Sequence, residues 1–269
     1  MLWRRRRSWS YLTHDSARSR AYRWGEDGLA GLCDRQARLC LSLALWNTRD
    51  PILKERLFGL TGPQGNHGED VKELYYYLDS TPTHSYMKYL YKYPHLAYPY
   101  SDLVHTNTAR TVHHPEYELQ DTGVVTEGYW DVVVHYAKAS PNNLLMETTV
   151  TNRSPNTETI HVLPTLWYRN TWIWGCTHEG CGLKPKLEAV GGVGGVGGVA
   201  GVGGVGGVAG INLVRGRHES LGEYMWAVDQ STTEAPLLFT ENETNTQRLF
   251  GVDSYTPYVK DAFHRYVIN

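Results

Sequence analysis

Two copies of the triplet Gly-Glu-Asp carry the residues best suited to chemistry. One copy contains Glu26 and Asp27, and the other contains Glu69 and Asp70. Two carboxyl groups hydrolyse a glycosidic bond when they flank it at about 5 to 9.5 Å, one acting as acid and the other as nucleophile or base. Neighbouring residues of a strand point to opposite faces. A working pair would therefore take one acid from each triplet.

A second interpretation of the same triplets involves no catalysis. Acidic residues beside glycine are typical of turns, where their side chains accept backbone N–H bonds. They also form ion pairs with nearby bases, and Arg23 and Lys72 lie within a few residues of the two triplets. Both interpretations remain open from the residues alone.

Aromatic residues accompany both triplets. Trp24 precedes the first, and tyrosines from Tyr75 to Tyr89 follow the second. Sugar rings stack their C–H faces on Trp and Tyr, while sugar hydroxyls bind carboxylates and His. The neighbourhood of each triplet is therefore a candidate sugar-binding position, although most tyrosines of the chain are expected to build sheets.

The sequence predicts neither a metal site nor a cofactor. No H-E-x-x-H motif is present, the histidines are scattered, and no G-x-S-x-G motif marks a nucleophilic serine. The four cysteines form no C-x-x-C pair and match no common zinc spacing; they are Cys33, Cys40, Cys176 and Cys181.

A Val-Gly repeat at residues 190–210 interrupts the chain with 12 of its 27 glycines. The repeat contains G-x-G-x-x-G by construction, without the strand, helix and acidic residue that a dinucleotide site requires. We therefore expect no dinucleotide cofactor and interpret the tract as a flexible, low-complexity surface insertion.

Charge and hydropathy give no reason to expect nucleic acid or a membrane as partner. The formal net charge is -2, and no run of about eighteen apolar residues occurs. The arginines at the N-terminus are followed by polar residues rather than by the apolar run of a secretory signal. We expect a cytoplasmic protein.

Alternating apolar residues predict β-strands through most of the chain. The clearest alternation runs from Leu144 to Val150, crosses the turn sequence "NRSPN" and resumes from Ile160 to Tyr168, a pattern that predicts a β-hairpin with one buried face. "RLCLSLALWN" fits a strand or a helix, and we favour a strand. Further strands are predicted at "ELYYYLD", "YMKYLYKYP", "EYMWAVDQ" and "PLLFTE".

Many short strands, few convincing helices and frequent turn signals together predict the fold class. It is mainly β: a large antiparallel β-sandwich with few short helices. No run of paired amphipathic helices is present in the 269 residues.

Long ordered strings of the chain resemble a known family. They are "HDSARSRAYRWGEDGLAG", "LALWNTRDPILKERLFGLTGPQGNHGEDVKELYYYLDSTPTHSYMKYLYKYPHLAYPY", "LPTLWYRNTWIWG" and "LLFTENETNTQRLFGV". They are similar to the N-terminal β-sandwich region of bacterial glucosidases related to glycoside hydrolase family sixty-three and to the mannosylglycerate hydrolase-like group. The resemblance implies an atypical segment at residues 1–13, a sandwich domain at 14–269, and a catalytic (α/α)6 toroid that these residues do not contain.

The resemblance also implies a function. The whole enzyme would hydrolyse O-glycosidic bonds of an oligosaccharide or glycoside with inversion, and the toroid, in the same or a separate chain, would supply the catalytic acid and base. No catalytic residue is then expected here. Residues expected to frame the sugar pocket or the domain interface are Arg23, Trp24, Glu26, Asp27, His67, Glu69 and Asp70. The alternatives are a stand-alone carbohydrate-binding module and a non-functional gene fragment.

Overall fold

The fold is mainly β and antiparallel, with few short helices, as the sequence predicts. The computed structural model describes residues 12–22, 28–60, 71–175, 182–190, 210–230 and 235–268. Its strands are β1 Leu29–Cys33, β2 Leu39–Trp46, β3 Leu74–Ser80, β4 Tyr86–Pro94, β5 Tyr129–Ser140, β6 Asn143–Asn152, β7 His161–Tyr168, β8 Lys186–Val190, β9 Ile211–His218 and β10 Gly222–Asp229. Its α-helices are α1 His14–Ala17, α2 Tyr100–Ala109, α3 Thr246–Phe250 and α4 Ala262–Ile268.

The strands form three antiparallel sheets. The first sheet has the order β1-β2-β7, the second has the order β3-β4-β5-β6, and the third has the order β10-β9-β8. The first two pack face to face as a sandwich, because the same core cluster takes Leu43 and Leu45 from β2 and Val132 and Val134 from β5. Tyr136 of β5 reaches across the layers and donates its hydroxyl to the carbonyl of Ala30, at 2.8 Å.

Alternating residues of β4 show why this sequence forms a strand. Tyr89, Tyr91 and Tyr93 are buried in the core, while Lys88 and Lys92 lie on the other face. Period two is the signature of a strand with one buried face. The predicted strands at "ELYYYLD", "YMKYLYKYP", "EYMWAVDQ" and "RLCLSLALWN" correspond to β3, β4, β10 and β2, and are confirmed.

The predicted hairpin between residues 144 and 168 is wrong, although both of its strands exist. β6 pairs with β5 in the second sheet, whereas β7 pairs with β2 in the first sheet. The segment between them therefore carries the chain from one layer of the sandwich to the other. Alternation of apolar and polar residues indicates that a strand has one buried face. Because both strands bury a face in the same core, the pattern does not distinguish their pairing partners.

The predicted strand at "PLLFTE" is also wrong. Residues 235–245 have no strand assignment, and the segment contacts the rest of the chain through isolated backbone hydrogen bonds. Glu241 N donates to Tyr258 O at 2.9 Å, and Lys260 N donates to Glu243 O at 2.8 Å. The apolar residues of this segment line cavities instead of extending a sheet.

Glycine is required where the layers approach most closely. A Cβ placed on Gly216 of β9 would lie 2.5 Å from the hydroxyl of Tyr168, so only glycine lets the third sheet pack against β7 at this point. A Cβ on Gly28 would lie 2.3 Å from the Cβ of Ser42 in β2. These two contacts fix the third sheet and the start of β1 against the first sheet.

Among the described residues, none of the helices has the length and apolar character needed to cross a bilayer.

The sandwich core predicts a sharp difference between inward and outward leucines. Leu45 is 0% exposed, whereas Leu145 of β6 is 56% exposed. We expect Leu45→Ala to lower the free energy of unfolding by about 2–5 kcal/mol, because it removes buried methyl groups and leaves a cavity. Leu145→Ala should change it by less than about 0.5 kcal/mol. Urea unfolding of the two variants measures the difference; equal losses would contradict this core.

Candidate functional site

A cleft of about 610 Å³ opens between β7, the start of β8 and the irregular segment 238–242. We call it the aromatic cleft. Its volume lies within the roughly 300–1,000 Å³ that is usual for small-molecule sites. Its walls consist of Tyr22, Thr165, Leu166, Trp167, Tyr168, Trp172, Lys184, Pro185, Lys186, Leu187, Leu238, Phe239, Thr240, Glu241, Asn242, Tyr258 and Phe263.

Aromatic rings form one wall of the cleft. The rings of Tyr22 and Trp167 stack with their centroids 4.5 Å apart. Trp172 follows β7 in a short 3₁₀ turn, and the exposed Tyr258 also lines the cleft. Flat aromatic surfaces of this kind offer stacking platforms to the apolar faces of a ligand.

Lys184 and Glu241 form the polar end of the cleft, and Glu243 contacts this lysine without lining the cleft itself. Lys184 Nζ lies 2.5 Å from a carboxylate oxygen of Glu241 and 3.3 Å from one of Glu243. The indole of Trp172 donates to the same Glu243 oxygen at 2.8 Å. Burial works to lower the pKa of the Lys184 ammonium, but the hydrogen bonds and charges of the two glutamates outweigh it and hold that pKa above its ordinary value. The ammonium therefore stays charged at neutral pH.

Asn242 lies between the two glutamates and positions them. Its backbone is left-handed, with φ of 48°, a conformation that Asn tolerates better than most residues. Its side-chain oxygen accepts from Tyr22 N at 2.7 Å, and its amide group donates to Tyr168 O at 2.9 Å. One buried side chain thus ties the glutamate segment to two residues of the cleft lining, Tyr22 and Tyr168.

A second cavity of about 420 Å³ adjoins the aromatic cleft and shares part of its wall. We call it the apolar cavity. Its lining consists of Tyr22, Ala44, Leu53, Ile160, His161, Val162, Leu163, Pro164, Thr165, Leu166, Leu187, Val214, Trp226, Val228, Gln230, Ala235, Pro236, Leu237, Leu238, Phe239, Phe263, Tyr266 and Val267. Within the described part of the chain, no Asp, Glu, Lys or Arg lines this cavity.

A buried ion pair lies beneath the sandwich near the start of β3. Lys54 Nζ and Glu73 Oε1 are 2.6 Å apart, and both side chains are 0% exposed. The second oxygen of Glu73 accepts from the hydroxyl of Tyr91 at 2.7 Å, and the backbone N–H of Phe58 donates to the first at 3.1 Å. The Lys54 ammonium also lies 3.8 Å from the ring centroid of Tyr98. Both charges are therefore fully compensated in a dry site.

The residue after Lys54 makes a second buried ion pair that reaches the aromatic cleft. Glu55 pairs with Lys260 and accepts from the hydroxyl of Tyr22 at 2.5 Å. The Lys260 ammonium lies 4.2 Å from the ring centroid of Tyr22. Because Lys54 and Glu55 are neighbours in the chain, the two pairs form one network. It joins Glu73 to Tyr22.

The seven residues predicted to frame a sugar pocket lie outside the described residues: Arg23, Trp24, Glu26, Asp27, His67, Glu69 and Asp70. The structure describes only their flanks. Tyr22 lines the aromatic cleft, and a Cβ on Gly28 would lie 3.1 Å from the Trp167 ring, so both flanks of residues 23–27 meet the cleft wall. The flanks of residues 61–70 lie together at an isolated bridge between Gly59 and Val71.

The polar end of the aromatic cleft was not predicted from the sequence. Glu243 is 71 residues from Trp172 and 59 from Lys184, and no motif joins them. One signal was available: "TENET" sets two glutamates two residues apart around an asparagine, which adopts a left-handed backbone more readily than most residues.

Such a set of groups suits the binding of a hydroxyl-rich ligand. Carboxylates accept hydrogen bonds from hydroxyls, an ammonium donates to them, and aromatic rings cover the apolar face of the ligand. Among the described residues, no group of three His, Cys, Asp or Glu side chains is arranged to hold a metal ion.

Asp50 is a buried carboxyl group with a raised pKa, and it lines neither cavity. It is buried, and its side chain accepts from Ile52 N at 3.2 Å and from the hydroxyl of Tyr93 at 3.3 Å. Burial raises the pKa of Asp50 to about 6, although the charge of Lys54 opposes the shift. Asp50 lines neither cavity, so its role is structural.

Comparisons with known proteins reveal a long relative. The chain is similar to the Saccharomyces cerevisiae protein YMR196W, which is described as uncharacterized, with 39% identity over 291 aligned residues. The match covers 97% of this chain and 25% of the yeast protein, so the chain spans about a quarter of the length of this relative. No family model matches the chain, and no solved structure matches it.

The buried pair of Lys54 and Glu73 predicts that two Glu→Gln substitutions lower the free energy of unfolding by different amounts. Glu73→Gln keeps the shape and the acceptor oxygen but leaves the buried Lys54 charge unpaired, so we expect a loss of about 3–5 kcal/mol in the free energy of unfolding. Glu223→Gln removes the exposed pair with Arg217 and should cost less than about 1 kcal/mol. Urea unfolding of both variants tests the expectation, and a small loss for Glu73→Gln would contradict a dry, charged pair.

Asp50 predicts a pH dependence of stability. Its pKa in the folded protein, about 6, lies above the ordinary value of 3.8, so the folded state holds the proton more tightly than the unfolded state does. This contribution is complete below about pH 4 and is lost as pH rises through about 6, amounting to about 3 kcal/mol. Asp50→Asn should abolish that loss, and the exposed Asp79→Asn should leave it in place. Unfolding free energies measured from pH 4 to 8 give both slopes; parallel curves for wild type and Asp50→Asn would contradict the assignment.

Proposed function

We propose that this chain is the N-terminal β-sandwich domain of an α-glycosidase and that its aromatic cleft contacts the saccharide. The domain itself is not catalytic. It supports the toroid that performs inverting O-glycosyl hydrolysis in the whole enzyme, and the toroid belongs to the same or a separate chain. An oligosaccharide or glycoside is the substrate of that enzyme.

The aromatic cleft is the observation that carries this proposal. Trp172, Lys184 and Glu241 line the cleft, and Glu243 contacts both Trp172 and Lys184, so a ring, a base and an acid meet in the cleft with a second acid against them. Sugars are recognised by this combination of stacking surface and paired polar groups.

The relative and the family resemblance support the same proposal. The quoted strings of the sequence resemble the sandwich region of family sixty-three-like glucosidases, and "LPTLWYRNTWIWG" and "LLFTENETNTQRLFGV" supply Trp172 and the two glutamates of the cleft. The yeast relative is about four times as long as the matched part, which leaves room for a further domain in that protein.

The two acidic triplets receive a supporting role in this proposal. Glu26, Asp27, Glu69 and Asp70 help to close the sugar pocket or the domain interface and do not transfer protons. The contact of both flanks of residues 23–27 with the wall of the aromatic cleft favours this role for the first triplet.

A stand-alone carbohydrate-binding module is the second candidate. It is favoured by one observation, which is that Tyr22 stacks on Trp167 in the lining of the aromatic cleft, because a stacking surface binds sugar without any catalytic group. A module would bind sugar with full affinity alone, whereas a domain of a larger enzyme would bind more weakly alone than with the toroid present.

Calorimetry on the purified chain tests sugar binding in the aromatic cleft. We expect saturable binding of an α-glucoside or an α-mannoside that weakens at least tenfold in Trp172→Ala, because the stacking surface and the partner of Glu243 are lost. Tyr77→Ala removes a tyrosine that is 80% exposed on β3 and should leave the affinity unchanged. Absence of heat with every glycoside, or an equal loss in both variants, would contradict the proposal.

A hydrolysis assay tests the non-catalytic assignment separately. The purified chain should release no product from aryl α-glucosides, since the acid and base belong to the toroid. Turnover by this chain that disappears in Glu69→Gln would show that the second triplet is catalytic and would contradict the assignment.

A further inference from the structure

The aromatic cleft and the apolar cavity adjoin each other. Tyr22, Leu166, Leu238 and Phe263 are among the residues that line both. Leu166 belongs to the edge strand β7 and Phe263 to α4, so the sandwich and the helix both contribute to the shared lining. The two cavities are therefore close enough for parts of one ligand to occupy both.

The two ends differ in chemical character. Lys184, Lys186 and Glu241 line the aromatic cleft, whereas the described lining of the apolar cavity contains no Asp, Glu, Lys or Arg. Val214 in β9 and Trp226 in β10 line the apolar cavity and not the aromatic cleft. The charge of the lining thus changes from one cavity to the next.

We propose that the ligand of this site is an amphipathic glycoside: a saccharide held in the aromatic cleft and joined to an alkyl or aryl group that fills the apolar cavity. This inference rests on the proposed function for its sugar end. The apolar end rests on the contiguity of a cleft lined by charged side chains with a cavity whose described lining contains none.

The apolar cavity is suited to such a group for a physical reason. Water makes few hydrogen bonds in a space lined by apolar side chains, so an alkyl chain that enters gains by leaving water and displaces little that is well bound. A volume of about 420 Å³ is large enough for a small-molecule group of that size. A ligand that occupied only the aromatic cleft would leave these walls uncovered.

Titration of the purified chain with matched glycosides tests the inference. The probes are methyl and octyl α-D-glucopyranoside and the same pair of α-D-mannopyranosides, each below its critical micelle concentration. We expect the octyl glycoside to bind at least tenfold tighter than its methyl partner. Val228→Phe, which fills the apolar cavity from β10, should remove this difference and leave the methyl glycoside affinity unchanged.

Controls separate the effect from a loss of folding. Val267→Phe fills the same cavity from α4 and should act like Val228→Phe, while Val252→Phe changes a residue that is 61% exposed and lines neither cavity. Circular dichroism checks that each variant folds. If Val228→Phe does not fold, Val267→Phe provides the comparison.

The outcomes distinguish failure of the inference from failure of the proposed function. Equal affinity for methyl and octyl glycosides, lost in Trp172→Ala, overturns the amphipathic ligand and leaves the sugar site standing. Binding of octanol as tight as that of octyl glucoside, unaffected by Glu243→Gln, overturns both, because the sugar then contributes nothing. Absence of binding by all four glycosides also overturns both.

Discussion

Two consecutive residues, Lys54 and Glu55, make the buried ion pairs on which the rest of the arrangement depends. Lys54 pairs with Glu73 at the entrance to β3, and Glu55 pairs with Lys260, which lies 205 residues further along the chain. A charge without its partner in such a dry site is strongly destabilising. The chain must therefore bring all three segments together at once, and few alternative packings satisfy that condition.

The geometry of the aromatic cleft follows from this constraint. Lys260 N donates to Glu243 O, so the residue that neutralises Glu55 also holds one of the two cleft glutamates in place. Tyr22 donates its hydroxyl to Glu55 and stacks on Trp167. The network that stabilises the interior thus positions both the polar end and the aromatic wall of the cleft. A substitution that breaks the network should therefore alter both.

Sequence reasoning worked best where the burial of a face was enough to decide the structure. Alternation of Tyr and Lys predicts β4, because a strand with one buried face needs no knowledge of its partners. The pairing of β6 and β7 could not be obtained in this way, since both strands bury a face in one core and differ only in the neighbour that accepts their backbone hydrogen bonds. The apolar run at residues 236–239 was misassigned because apolar side chains also line cavities.

The candidate site was less predictable because its parts are distant in sequence. Glu243 and Trp172 meet across 71 positions, and Lys184 approaches Glu243 across 59. Acidic residues beside glycine are recognised as candidates from the sequence alone. Glu243 in "TENET" becomes a candidate only because the fold places it against the indole of Trp172. The roles of Glu26, Asp27, Glu69 and Asp70 stay predictions, because these residues lie outside the part of the chain that the structure describes.

The central claim is that saccharide binds at the Trp172 end of the aromatic cleft, and the indole N–H of Trp172 reports it directly. In a two-dimensional ¹H–¹⁵N spectrum of the labelled chain, assigned with Trp172→Phe, this resonance should shift saturably on addition of an α-glucoside or α-mannoside. The resonance of Trp130, buried in the sandwich core, should stay in place. An unmoved Trp172 resonance at the highest ligand concentration, or equal shifts of both indoles, would contradict the account.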